Sequence, residues 1–264
     1  MDFEFDSVKL SDKGYILAFE GKNDENLPVS QMTYDTIKGA LSDISHKVSH
    51  NYGDNYTRTF LIIKSPCENN DDESDMTEDD VSEMTQWLVR KQYKVFKYID
   101  DEGNYYPTWY KVQNTVEKVE YGDKIIGLSI TVNANAPYGF ANAVTTTWST
   151  DTLTKTIRVN SDEEGYIYPD ITITVREAGE LIFNNRNENR RMRVKNVSVD
   201  ETITILGGDI LQISSDDETH DLATDFNYVF PRLCVEYGNY NNLLATNLQC
   251  DVSVTYYGIR KVGL

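Results

Sequence analysis

Apolar and polar residues alternate over short runs along much of this chain, and clusters of Asn, Asp and Gly separate the runs. Because successive side chains of a β-strand point to opposite faces, this period of two predicts strands that bury one face. In the second half of the chain the pattern predicts nine strands: Val144–Trp148, Thr154–Asn160, Ile171–Val175, Glu180–Asn184, Met192–Val199, Thr202–Leu206, Ile210–Ser214, Arg232–Val235 and Gln249–Tyr257. Short strands divided by turns at this density predict a two-sheet antiparallel sandwich or jelly roll.

The first half of the chain carries the same pattern. Residues Phe3 to Glu20 predict two strands that form a hairpin around the turn sequence Ser11–Gly14. Five further strands are predicted: Tyr56–Lys64, Lys94–Ile99, Tyr105–Val112, Thr115–Tyr121 and Ile125–Val132. Gly122 and Asp123 supply the turn of the last pair.

One helix is predicted over residues 77–91. Thr77 can cap its first turn, and Asp80 stands where a capping box has its acid. An apolar face follows at helical spacing and consists of Val81, Met84, Trp87 and Leu88. Acids gather at the start and Arg90 and Lys91 at the end, as the helix dipole favours.

The segment before Tyr56 is compatible with two structures. Its apolar residues Ile37, Leu41, Ile44 and Val48 are spaced by four, three and four, as on one face of a helix. Residues 44–50 also alternate, and the turn cluster at 51–55 follows them, which favours a strand. We predict a strand for this segment.

A chain of 264 residues has room for two domains. Pro137 cannot donate a hydrogen bond to a sheet, so we expect a sheet to end there and place the domain boundary after Asn142. The predicted fold is mainly β: a β-sandwich-like N-terminal domain, residues 1–142, with one helix at about 77–91, and a C-terminal β-sandwich, residues 143–264.

The formal charge is −18, from 43 acids and 25 bases. So acidic a surface repels the phosphates of nucleic acid and of anionic membranes, which excludes both as specific partners. The acidic surface either keeps the protein soluble or lets DNA slide past without binding, and composition does not distinguish between these two roles.

We expect the protein to fold in a cytoplasm. No apolar stretch approaches the roughly 20 residues that cross a bilayer, and the acidic N-terminal sequence lacks the basic region of a signal peptide. In a reducing compartment Cys67, Cys234 and Cys250, an odd number without a C-x-x-C spacing, are expected to remain free thiols.

The sequence carries none of the catalytic signatures G-x-S-x-G, G-x-x-x-x-G-K-[ST] or H-E-x-x-H. His46 and His50 are four residues apart and on a helix could bind a metal, but on a strand they simply share a face, and no nearby acid or cysteine completes a set. Most acids lie in polar runs, where no apolar pocket raises a carboxyl pKa for glycoside hydrolysis. We predict no catalytic, cofactor-binding or metal-binding residue, and no cofactor.

Two patches are candidates for binding surfaces. The first is aromatic and contains Tyr98, Tyr105, Tyr106, Trp109 and Tyr110, of which alternation predicts that half face a core. The second is basic and contains Arg186, Arg190, Arg191, Arg193 and Lys195. Its last three members alternate with Met192 and Val194, which predicts one exposed strand face. This face is either simply solvated or a docking site for an acidic surface of the same protein.

The order of several short sequences resembles the distal tail proteins of bacteriophages. In the first half these are Phe3–Phe5, Tyr15–Glu20, Phe60–Lys64, Thr77–Val81, Trp87–Leu88, Tyr93–Tyr98, Gly127–Leu128 and Asn135–Tyr138. The second half resembles the galectin-like sandwich of many members, through Gly165–Pro169, Asn184–Arg193, Asp200–Ile203, Asp225–Leu233, Asn239–Asn242 and Cys250–Tyr257. The resemblance covers almost the whole chain.

The resemblance implies a non-enzymatic virion protein, assembled in the host bacterial cytoplasm. Its N-terminal domain is expected to form a hexameric ring around the DNA channel at the tail end, with the galectin-like domain outside. Expected partners are further copies of the chain, the tail tube protein, a tail-associated lysin or tail-fibre hub, and receptor-binding proteins, while DNA passes through the lumen unbound.

Two other functions compete with a ring. The first alternative is a carbohydrate-binding adsorption module that attaches the virion to the host cell wall. The second is a cell-wall hydrolase of the tail, which the missing catalytic signatures disfavour.

Overall fold

The computed structural model describes residues 1–18, 32–38, 44–52, 54–65, 75–149, 152–188, 190–208, 210–236 and 238–261. The chain divides into two compact units, Met1–Phe140 with Arg260 and Lys261, and Ala141–Ile259. This division lies two residues before the boundary predicted after Asn142, and it differs from the prediction in placing the chain's end with the first unit. Both units are mainly β, as the sequence predicts.

The described part of the first unit contains nine strands, one α-helix and one turn of 3-10 helix at Ser11–Lys13. The strands and the α-helix are β1 (Asp2–Phe5), β2 (Val8–Lys9), β3 (Tyr15–Ala18), β4 (Met32–Lys38), β5 (Ser45–Tyr52), β6 (Thr57–Lys64), α1 (Glu78–Leu88), β7 (Lys94–Ile99), β8 (Tyr105–Tyr121) and β9 (Lys124–Ala134). Seven strands form one antiparallel sheet in the order β3-β6-β9-β8-β7-β1-β2. The other two, β4 and β5, pair only with each other in the described residues.

Helix α1 packs its apolar face against this sheet. The ring of Trp87 stacks on Phe3 at 5.9 Å, and its Nε1 donates to the carbonyl of Phe5 at 3.3 Å. The predicted helix start is confirmed, because Thr77 accepts from the backbone N–H of Asp80 and the Asp80 carboxylate accepts from that of Thr77.

The predicted helix end at residue 91 is wrong by three residues. The backbone at Val89 is already extended, so Arg90 and Lys91 lie beyond the helix. Side chains of β8 bind the residues at this end: Asn114 donates to the carbonyl of Leu88, the last helical residue, and Gln113 donates to the carbonyl of Lys91 beyond the helix.

The hairpin predicted for residues 3–20 is also wrong in its pairing. Strand β1 turns back into β2 through Asp6 and Ser7, both at positive φ, which is the geometry of a tight two-residue hairpin turn. Strand β3 pairs instead with β6, where Tyr15 lies opposite Lys64. Phe19 and Glu20, the end of the predicted hairpin, fall outside the described residues.

Two further predictions in the first unit have clear outcomes. The strand predicted near residues 44–50 is confirmed as β5, and the helical alternative is wrong for the described part of that segment, which excludes Leu41. The two strands predicted at Tyr105–Val112 and Thr115–Tyr121 form one continuous strand, β8, because the residues between them, Gln113 and Asn114, stay in register with β9.

From Gly139 on, the described residues form eleven strands and one short helix. They are β10 (Gly139–Trp148), β11 (Thr154–Ser161), β12 (Gly165–Ile167), β13 (Asp170–Val175), β14 (Gly179–Asn185), β15 (Arg191–Val197), β16 (Thr202–Leu206), β17 (Gln212–Ser215), α2 (Leu222–Asp225), β18 (Leu233–Val235), β19 (Gly238–Thr246) and β20 (Cys250–Arg260). The sequence did not predict β12 and α2, which are only three and four residues long, or β19, which is rich in Asn.

The second unit is a two-sheet sandwich, as predicted. One layer has the order β10-β20-β13-β16-β17, the other β11-β19-β14-β15, and the small pair β12-β18 lies beside them. Buried side chains from both layers form one core, including Ile157, Ile173, Phe183, Val194 and Val254. Strands β16 and β17 follow each other along the chain and pair antiparallel, with Leu206 opposite Gln212.

Candidate interaction surfaces

The β4–β5 hairpin exposes several apolar side chains. Apolar side chains face solvent on both strands, where Tyr34, Ile37 and Val48 are 55–60% exposed, and Ile44, just before β5, is 67% exposed. No residue of either strand belongs to the described buried core. The base of the hairpin is held by Tyr52, whose ring contacts Tyr138 edge-on at 5.9 Å. A two-stranded ribbon is marginally stable alone in water, so this geometry is typical of a segment that a partner covers.

The hairpin formed by β8 and β9 also extends beyond the core. Val112 and Ile130 are buried at its base, whereas Tyr121 at its tip is 79% exposed. Met76 ties the loop before α1 to this tip through a backbone hydrogen bond to Ile125. The first unit therefore presents two projecting hairpins with apolar tips or faces.

The aromatic patch divides as alternation predicts. Tyr98 and Tyr110 are buried in the core, where Tyr98 shares a hydroxyl hydrogen bond with Tyr56 at 2.8 Å. Tyr105 is exposed, and Trp109 packs its ring on Phe140 at 5.0 Å. Burial raises the pKa of Tyr98 and Tyr110, which keeps both hydroxyls neutral in the core. The structure does not bring these rings together as one binding platform.

The basic residues, which we call the basic strip, lie where they are predicted. All five are exposed on or beside β15: Arg186, Arg190, Arg191, Arg193 and Lys195. Met192 and Val194 between them are buried, which confirms the exposed strand face. Among the described residues no carboxylate forms an ion pair with any of the five.

Two of the three histidines lie on the β4–β5 hairpin. His46 and His50 belong to β5 and pair with Ile37 and Tyr34 of β4, with a register shift between the two pairs. No group of three His, Cys, Asp or Glu side chains in the described ranges could hold a metal ion. Cys234 and Cys250 are free thiols, and Cys67 lies outside the described residues.

A buried polar cluster, not predicted from the sequence, surrounds the third histidine. His220 contacts Glu201 through Nδ1 at 2.5 Å and Asp225 through Nε2 at 3.4 Å. Ser215 also donates to Glu201 at 2.6 Å, and the backbone N–H of Ser198 donates to the other carboxylate oxygen at 2.7 Å. The cluster joins the segment after β17 to the start of β16. The sequence of these segments, which is rich in Asp, did not indicate the cluster.

No helix in the described ranges has the length and apolar character that crossing a membrane requires.

Comparison with known proteins gives matches in both halves of the chain. Residues 1–136 match a family described as phage tail protein N-terminal domain, and residues 138–256 match one described as phage tail C-terminal domain. No curated protein sequence matches the chain.

Among solved structures, the fold is similar to a crystal structure of SPP1 Dit (gp 19.1), described as a paradigm of hub adsorption apparatus in Gram-positive infecting phages. The TM-score is 0.66 over 98% of each chain, with 11% sequence identity. At that identity the likeness establishes a shared fold.

Proposed function

Because the chain belongs to the phage tail protein family whose N-terminal and C-terminal domains it matches, we propose that it forms a hexameric ring at the distal end of the tail. In this role it joins the tail tube to the tail tip or baseplate and is the hub for receptor-binding proteins and a tail-associated lysin or fibre. Its role is structural and non-enzymatic. As a member of this family the chain is a component of the virion.

The β4–β5 hairpin is the observation that carries the proposal. Its exposed apolar side chains, among them Ile37 and Val48, need a covering surface, and a neighbouring copy of the chain supplies one. A ring requires contacts between unlike surfaces, because each copy meets the next with a different face. A hairpin that projects from one copy onto the sheet of the next satisfies that requirement.

The likeness in fold to SPP1 Dit supports the role as a hub, since that protein is described as a paradigm of hub adsorption apparatus. The formal charge of −18 supports a lumen through which DNA moves without being held. A channel wall that proves to be basic would contradict this part of the proposal.

The test compares purified chains by mass in solution and by negative-stain imaging. Val48→Asp places a charge on the hairpin, and Val199→Asp is the matched control, because Val199 is similarly exposed, at 56% against 60%, but lies in the second unit. We expect six-membered rings with a central hole for the wild type and for V199D, and smaller species for V48D. Unchanged circular dichroism would show that V48D is folded.

If V48D still forms rings, the β4–β5 hairpin is not part of the interface between copies. A wild-type chain that stays monomeric at the highest attainable concentration would contradict a ring formed by the chain alone.

A further inference from the structure

A cleft of about 600 Å³ lies on the outer face of the β11-β19-β14-β15 sheet. Its lining includes Ile182 and Asn184 of β14, Arg186 after that strand, Arg191 of β15 and Ala245 of β19. In the strand register Asn184 lies between Arg191 on one side and Ala245 on the other. The cleft therefore brings an amide and two guanidinium groups together with apolar side chains.

The cleft carries uncompensated positive charge. Arg186 and Arg191 are exposed, and neither has a carboxylate partner among the described residues. The acid that lines the cleft, Glu188, is already bound by Arg232, with Nε–O distances of 2.8 and 3.0 Å. This two-pronged pair neutralises Glu188 and leaves both cleft arginines available to an external anion.

The two asparagine side chains that line the cleft differ in whether they already form hydrogen bonds. The amide of Asn247 is occupied, because it accepts from the backbone N–H of Ile182 at 2.6 Å and donates to the carbonyl of Glu180 at 2.8 Å. The amide of Asn184 makes no hydrogen bond within the described residues. It offers a donor and an acceptor to a ligand at a fixed place beside Arg191.

The positive charge continues along the edge of the sheet. Arg193 and Lys195 follow Arg191 at alternate positions of β15, which is an edge strand. At the rise of a β-strand these three residues span about 13 Å. Five of the chain's 25 bases thus lie within residues 186–195, against the single acid Glu188.

We propose that this cleft binds an acidic oligosaccharide, whose carboxylate or phosphate is held by Arg186 and Arg191 and whose hydroxyl groups bond to Asn184. A planar guanidinium matches the geometry of either anion. Ile182, which is partly exposed, provides apolar contact for the C–H face of a sugar ring. A neutral sugar leaves two unpaired guanidinium groups unexplained, and the chain's overall charge of −18 opposes a long polyanion such as duplex DNA.

The site lies wholly within the second unit and does not depend on ring formation. Its use in recognising a host surface rests on the proposed function. Binding and assembly are therefore measured separately on the same full-length chain.

The test is calorimetric titration with five probes. Trigalacturonate carries carboxylates, N-acetylglucosamine 6-phosphate carries a phosphate, and chitotriose is neutral; a 20-base-pair DNA duplex and polyglutamate represent other polyanions. We expect saturable binding of at least one acidic saccharide, at least about tenfold tighter than binding of chitotriose, DNA or polyglutamate. Binding of trigalacturonate would identify the anion as a carboxylate, and binding of N-acetylglucosamine 6-phosphate would identify it as a phosphate.

Three variants test the location. R186Q/R191Q removes both guanidinium groups, and N184D places a carboxylate between them with almost no change in shape. K155Q/R158Q is the control, because it removes the same charge from β11, at the far edge of the same sheet. We expect about tenfold or greater loss of affinity in the first two variants and less than about twofold in the control.

Absence of saccharide binding at about 10 mM would overturn the proposal. So would equal loss in R186Q/R191Q and the control, or tighter binding of DNA or of polyglutamate, the latter indicating an acidic protein as occupant. Rings that assemble but bind no saccharide reject the site alone, whereas a monomer that binds rejects the ring alone.

Discussion

His220 shares a short hydrogen bond with Glu201, and both side chains are almost fully buried, at 3% and 1% exposure. Burial disfavours the charged imidazolium, but the hydrogen bond to Glu201 and its charge, together with the charge of Asp225, outweigh burial and raise the pKa of His220 above its ordinary value near 6.5. Hydrogen bonds from the hydroxyl and the backbone N–H of Thr219 lower the pKa of Asp217, and the charge of His220 adds to that lowering. A buried, hydrogen-bonded pair of His220 and Glu201 thus links the segment after β17 to β16.

The stability of the second unit should fall as pH rises through the folded pKa of His220. Because that pKa lies above the unfolded value, the imidazolium stabilises the fold fully below about pH 6.5 and progressively less above it. We expect the difference in unfolding free energy between wild type and His220→Gln to shrink from pH 5.5 to pH 8.5. Urea unfolding at several pH values measures it, and a difference that is constant or grows with pH would be inconsistent with a charged His220.

The capping box of α1 should give the opposite pH dependence. Burial would raise the pKa of Asp80, but its bonds to Lys64, at 2.8 Å, and to Thr77 prevail and lower it to about 2. The stabilisation is therefore present above pH 3.8 and lost as pH falls towards 2. We expect Asp80→Ala to cost about 1–2 kcal/mol near neutral pH.

Asp79→Ala is the control for that substitution, because Asp79 lies in the same first turn and is exposed without a capping role. Its effect should stay within the smaller range of a helix-dipole interaction, about 0.3–1 kcal/mol. Equal losses in both variants, measured by chemical unfolding, would show that the capping box contributes nothing specific.

The sequence predicts an element correctly where the residues that determine it are neighbours along the chain. The start of α1 follows from Thr77 and Asp80 because a cap involves neighbours in sequence, and the buried face of β15 follows from alternation. Pairings were missed where they depend on distant residues: nothing near Phe3 indicates that its strand pairs with Tyr98 in β7. The exact end of α1 depended on β8 side chains for the same reason.

Strand β19 was missed because its composition is that of a turn. It begins at Gly238 and contains three asparagines, yet Asn242 is completely buried. The side chain of Asn242 forms the two hydrogen bonds that the backbone of a neighbouring strand would form. It accepts from the N–H of Cys234 at 2.7 Å and donates to the carbonyl of Cys234 at 2.9 Å. Asn185 completes the cluster by donating to Asn242 at 2.6 Å.

Asn242→Leu should therefore be strongly destabilising. The substitution removes the side-chain partner of the part-buried N–H and carbonyl of Cys234, at about 1–3 kcal/mol for each group, while Asn185 still donates to the carbonyl of Arg232. Asn241→Leu, at an exposed neighbouring position of the same strand, should change stability by less than about 0.5 kcal/mol. Thermal unfolding of the two variants checks this, and similar midpoints would contradict a structural role for the buried amide.

The turn between β16 and β17 offers a matched pair of glycines. A Cβ on Gly207 would lie 2.1 Å from the carbonyl oxygen of Tyr168 and 2.6 Å from that of Pro169, which are backbone atoms that cannot move aside cheaply. A Cβ on Gly208 meets nothing within 4 Å. We expect Gly207→Ala to cost about 1–3 kcal/mol and Gly208→Ala almost nothing, as measured by urea unfolding; equal effects would rule out the close approach.

Cryo-electron microscopy of the tail of the phage that carries this chain tests the ring most directly. We expect six copies at the distal end of the tube, with the first unit closed around the channel and each β4–β5 hairpin covered by the neighbouring copy. Density for the chain along the tail shaft, or as single copies at a fibre tip with Ile37 and Val48 facing solvent, would contradict the distal ring.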